Sequence, residues 1–162
     1  MTTDNESGLT LIELLVVIAL MAVVSAAVVL SLPARDGGVM PAAERLARGL
    51  RLAAQETVLS GQPVGVAVSD RGYRFFRMQG GAWRPMEDVR ELAARDWLAS
   101  VTVTLEQAGE PVATELSAPP PIRFSPIGMA SEFRLSLQDE RGRTVRISGD
   151  LSGAITLEAG DA

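Results

Sequence analysis

The chain has 162 residues, 15 basic against 20 acidic side chains for a net charge of −5, and neither cysteine nor histidine. Without His or Cys the usual general bases, thiol nucleophiles, soft-metal ligands and disulfides are absent, and an acidic balance argues against nucleic acid as a partner. The length beyond the first 32 residues allows one small domain with a core of its own.

Residues 1–8, MTTDNESG, are polar and acidic, and dropping Asp4 and Glu6 leaves a net charge of −3. From Leu9 to Leu32 runs an apolar segment of about 24 residues, roughly 36 Å as a helix, enough to cross hydrocarbon about 30 Å thick. Glu13 is its one charge. A carboxylate in hydrocarbon costs about 2.5–3.5 kcal/mol on insertion scales, so its presence points to a role or a partner. A secretory signal peptide needs a basic start and an apolar core of about 7–15 residues, and this segment has neither. A plain single-pass anchor accounts for the run but not for the string around Glu13.

Residues 33–41 read as a joint, with Pro33 stopping the first helix and Arg35-Asp36-Gly37-Gly38 following. Residues 42–60 read as an amphipathic helix entered at Pro41. Leu46, Leu50, Ala53, Ala54, Thr57 and Val58 fall on one face, with Glu44, Arg45, Arg48, Arg51, Gln55 and Glu56 on the other. Because Glu44 and Glu56 flank them, the three arginines read as a solvated face rather than a binding stripe.

After Gly61 the period changes to two. Strands are expected at 63–69, 73–79, 82–85, 101–105, 122–125, 132–137, 144–148 and 154–157, with turns at Asp70-Arg71-Gly72, Gly80-Gly81 and Asp139-Glu140-Arg141-Gly142. Residues 86–98 are ambiguous between a short helix and an irregular link carrying Trp97. Residues 107–121, with Pro119-Pro120-Pro121, read as a loop. The fold class is therefore α+β: a long N-terminal helix, its amphipathic second half packed on an antiparallel β domain (62–157) of seven or eight short strands.

Gly8, then Leu9-Thr10-Leu11-Ile12-Glu13 and the apolar run, resembles the processing site of type IV pilin-like proteins. The resemblance implies that a prepilin peptidase cuts after Gly8 and that Leu9, now N-methylated, becomes the first mature residue. It makes residues 1–8 a leader and 9–32 a transmembrane and assembly helix, with Glu13 in the family's fifth mature position. The stretch Gln62-Pro63-Val64-Gly65-Val66-Ala67-Val68, together with Ile122-Arg123-Phe124-Ser125-Pro126-Ile127-Gly128 and Val145-Arg146-Ile147-Ser148, looks like H-type minor pseudopilins of type II secretion systems. That resemblance implies a structural subunit near the tip of a periplasmic fibre that helps export folded proteins. Its partners would be other major and minor pseudopilins, the prepilin peptidase and the inner-membrane secretion platform. It places the protein in the inner membrane as a single-pass chain, with residues 42–162 in the periplasm. Arg35, Arg45, Arg48 and Arg51 after the run would by charge alone keep that part cytoplasmic. In the implied assembly Glu13 pairs with the α-amine of Leu9 on a neighbouring subunit, which removes an uncompensated buried charge.

Two other functions stand beside this one. A type IV pilus minor pilin of the fimbrial T type would bind DNA through a late basic patch. Here Arg141, Arg143 and Arg146 are interleaved with Asp139, Glu140 and Asp150, which disfavours it. A membrane-anchored enzyme would need a nucleophile elbow, a phosphate loop or a metal motif, and the chain has none. The adjacent acids Glu87/Asp88 and Asp139/Glu140 read as solvated turns. No cofactor is expected and no residue is assigned as catalytic.

Overall fold

The computed structural model describes residues 11–31 and 38–160, so the leader, Gly8 and Leu9 lie outside the described residues, as do 32–37 of the joint. Two compact units are present, divided after Arg35. The first is described by α1 (Leu11–Ser31).

The second begins with α2 (Val39–Ser60), whose N-cap is Gly38. Three residues expected in the joint, 39–41, are therefore helical, and Pro41 sits in the first turn, where a missing N–H costs nothing. Gly61 at φ +67° ends the helix in the left-handed conformation that favours glycine. Thr57 then joins helix to sheet: its Oγ1 accepts the buried Val64 N–H at 3.0 Å.

Among the described residues ten strands follow, all paired antiparallel, in two sheets. Sheet one orders β3 (Ala82–Pro85), β2 (Gly72–Gln79), β1 (Val64–Ser69) and β7 (Ile122–Phe124), with the two-residue β4 (Arg95–Asp96) also on β2. Sheet two orders β10 (Ile155–Ala159), β9 (Thr144–Gly149), β8 (Phe133–Asp139), β5 (Val101–Gln107) and β6 (Glu110–Val112). The α+β class is as expected. The expectation of seven or eight strands is corrected by β4 and β6, which fall in the segments read as link and loop. A β-carbon on Gly72 would run into the Arg95 carbonyl oxygen, so glycine is what lets β4 close on β2. The link itself holds a single 3-10 turn, Arg90–Leu92, with Leu92 fully buried.

One core serves both sheets. Leu46, Leu50 and Ala53 of α2 meet Val64, Val66 and Phe75 from sheet one and Leu135, Leu137 and Ile147 from sheet two, all fully buried. The period-two burial of β5, β8 and β9 delivers those residues to one face. Each fully buried Leu, Ile, Val or Phe contributes about 1.5–3 kcal/mol of transfer free energy. Polar contacts fix the sheets to each other and to the link. Asp70 Oδ1 accepts the Val103 N–H at 2.7 Å, and the Trp97 indole N–H donates to Ser69 O at 2.8 Å while its ring lies 5.2 Å from that of Tyr73. Val58, expected on the buried face of α2, is 55% exposed.

Candidate assembly surface

Of the three residues the sequence marks for processing and assembly, Glu13 is the one described, and it stands in the first turn of α1. A carboxylate there complements the partial positive charge of a helix N-terminus. Every large apolar side chain described on α1, from Leu11 to Val24, is exposed, and these residues occupy all faces of the helix. A helix apolar all round is stable only when covered by lipid or by other helices. Among the described residues, no helix is long and apolar enough to cross a membrane.

One member of each acidic pair, Asp88 and Asp139, does structural work. Asp88 takes a 2.8 Å ion pair from Arg77, whose other guanidinium nitrogen binds Glu56 of α2 at 2.9 Å. That hydrogen bond holds the Asp88 carboxyl below the usual carboxylate range. Asp139 accepts the Arg141 and Arg143 N–H groups, each at 3.0 Å, and the Arg143 Nε–H at 2.7 Å, closing the β8–β9 turn. Arg143 is thus neutralised within its own hairpin, and Arg134 lies 3.5 Å from Glu106. The α2 arginines are exposed as expected, with Arg51 also donating to Ile155 O at 3.1 Å. Among the described residues no group of three or more His, Cys, Asp or Glu is placed to hold a metal.

A second uncovered apolar surface, absent from the sequence-based expectations, lies at the C-terminal end of α2. There the last turns of the helix, the β7–β8 turn and the β9–β10 turn converge on a cavity of about 510 Å³. The Ala130 N–H bonds Leu151 O at 3.0 Å, joining the two turns. Gly153 approaches both Ala54 and Ala130, and a β-carbon there would stand 3.9 Å from each of theirs. The signal that could have found it was Val58-Leu59 beside the Ile127-Gly128-Met129 string, read only as helix face and turn.

The family model of the type II transport protein GspH matches residues 42–153, and the prokaryotic N-terminal methylation motif matches residues 3–29. The type II secretion system protein H of Escherichia coli (strain K12) is 32% identical over 111 residues. That match covers 64% of this chain and 66% of the relative, just under two thirds of its length. Among solved structures, the minor pseudopilin EpsH from the type II secretion system of Vibrio cholerae superposes with a TM-score of 0.65 at 19% identity, covering 80% of this chain and 99% of that one. Escherichia coli GspH gives 0.59 at 24% identity, covering 73% and 85%. The type IV minor pilin FimU of Pseudomonas aeruginosa gives 0.52 at 19%, covering 74% and 87%. At these identities the structures show a shared fold. The family match runs from the first turn of α2 to the turn before β10, more than half of the sequence, and the chain belongs to the type II transport protein GspH family.

Proposed function

We propose that the protein is a minor pseudopilin, a non-enzymatic structural subunit of a type II secretion fibre that helps move folded proteins across the outer membrane. The observation that carries this is the pairing of an all-round apolar, exposed α1 bearing one carboxylate, Glu13, with a compact head of the GspH family. In this reading residues 1–8 are a leader, and prepilin peptidase cuts Gly8–Leu9 and N-methylates Leu9. The segment 9–32 holds the chain in the inner membrane with the head in the periplasm, until the secretion platform extracts it into a fibre of major and minor pseudopilins. There Glu13 neutralises the α-amine of a neighbouring Leu9. The match to the N-terminal methylation motif over residues 3–29 supports the processing step.

Deleting the gene in its source cell should leave exported enzymes in the periplasm. The full chain should restore their release, and a chain cut back to residues 38–162 should not. Normal release from the deletion strain would overturn the proposal.

A further inference from the structure

We propose that the cavity at the end of α2 seats an uncharged apolar helix of a neighbouring subunit, of the kind α1 represents. This rests on the fibre-subunit reading above. Outside α1, the described chain exposes six large apolar side chains, Val58, Leu59, Leu98, Ile127, Met129 and Leu151. Val58, Leu59 and Met129 line this one cavity, Ile127 and Leu151 stand beside lining residues in its two turns, and Leu98 lies elsewhere. Contiguous exposed apolar surface of this kind marks an interaction site.

The lining selects the occupant. Among the described residues no charged side chain lines the cavity; its polar side chains are Gln55, Ser125 and Ser152, and the Ser152 hydroxyl is engaged by Asp150 at 2.6 Å. A charged peptide or a nucleic acid would find no counter-charge there and would lose its hydration. The backbone rims are closed to strand addition as well. Beside β7, Ser131 N–H bonds Arg123 O at 2.9 Å and Ser125 N–H bonds Met129 O at 2.7 Å, so the edge offers no free ladder. What remains is a side-chain socket, and side-chain knobs on a helix fit it.

The described chain itself shows the complement. From Leu14 to Ser25, α1 carries no charge, and its large side chains are exposed throughout. Leu14, Val17, Ile18 and Met21 stand at i, i+3, i+4 and i+7, the spacing of helix-in-groove anchors. A volume of about 510 Å³ lies in the range of sites that enclose several apolar groups. In a fibre of like subunits every head would then offer a socket and every α1 a set of knobs. The head-to-helix contact is heterologous, and such contacts propagate filaments.

The test is photo-crosslinking of the full chain in cells carrying the rest of the secretion apparatus, with benzoylphenylalanine at Ile127 and, as control, at exposed Gln138 near the other end of β8. Adducts mapped by mass spectrometry to the apolar N-terminal helix of a fellow subunit, many-fold stronger from 127 than from 138, are expected. Ile127→Asp should lower recovery of the chain in sheared fibres without moving its unfolding midpoint, because Ile127 is exposed in the free head. Adducts on a head domain or on secreted cargo, or equal yields from both positions, would overturn the proposal. A chain present in fibres with no adduct from 127 refutes the socket alone. A chain never found in fibres refutes the subunit reading on which it rests.

Discussion

Gly49 lies in the middle of α2, where alanine is ordinarily preferred by about 1 kcal/mol, yet here the same substitution should destabilise. A β-carbon at 49 would stand 2.8 Å from Cζ of Phe75, closer than real carbon contacts allow, and Phe75 is fully buried. Relief requires the ring to move within a packed core, and overpacking of this kind costs about 1–3 kcal/mol. The overlap outweighs the helix gain, leaving Gly49→Ala about 1 kcal/mol less stable. For a unit of this size that is a fall in Tm of roughly 4 °C. The Phe75 ring also fixes a change of sign. Leucine at 75 lacks the ring end, so in a Phe75→Leu background Gly49→Ala should raise Tm, through helix propensity and partial filling of the space left. The assay is thermal unfolding of the full chain in detergent, followed by tryptophan fluorescence, to which Trp97, packed on Tyr73, contributes. A higher Tm for Gly49→Ala in the unaltered chain, or the same shift in both backgrounds, would refute the reasoning.

Thr57→Val keeps the shape but leaves the Val64 N–H buried without its 3.0 Å acceptor, and should cost about 1–3 kcal/mol in denaturant unfolding. The Asp150 carboxyl is held below the usual range, first by the Ser152 hydroxyl and then by the Ala154 N–H. Its folded pKa lies under its unfolded one, so the unfolded chain binds the extra proton. Stability should therefore be level above pH about 5 and fall as pH drops through about 4. Asp150→Asn should flatten that acid limb in unfolding midpoints taken across pH, and an unaltered limb would count against the assignment. Gly8 to a bulky residue should block processing, read as an unchanged mass in the presence of the peptidase. Glu13→Val should leave membrane insertion intact while lowering recovery in fibres, and normal recovery would remove the pairing argument.

Much of the head was legible because its strands alternate cleanly. Phe133, Leu135 and Leu137 of β8 and Val145 and Ile147 of β9 are buried as period two requires, and the turns at Asp139–Gly142 and Gly80-Gly81 sit between strands as read. What was missed lacked a periodic signal. The two residues of β4 are both polar, and their pairing depends on the missing side chain of Gly72, a contact no local pattern encodes. Pro111 inside β6 argued against a strand, and that strand survives at the sheet edge, where a missing N–H is tolerated. The division into two sheets turns on long-range contacts such as Asp70 to Val103, which strand periodicity does not carry. Val58 shows another limit: it stands four residues from Ala54 but roughly 80–140° around the helix from Leu46, Leu50 and Ala53, and it faces the open cavity at the end of α2 rather than the core. The assembly signal at Gly8, Leu9 and Glu13 was readable only as a motif.

The first residue of the mature chain is the most direct sign of the proposed processing. All 15 basic residues are arginine, so apart from the N-terminus the protein has no amine, and amine-directed labelling reads that terminus alone. The decisive measurement is the intact mass and N-terminal sequence of the chain expressed with an active prepilin peptidase. A chain beginning at N-methyl-Leu9, having lost residues 1–8, is the predicted result. A chain still beginning at Met1, while a control pseudopilin in the same cells is cut, would contradict the account.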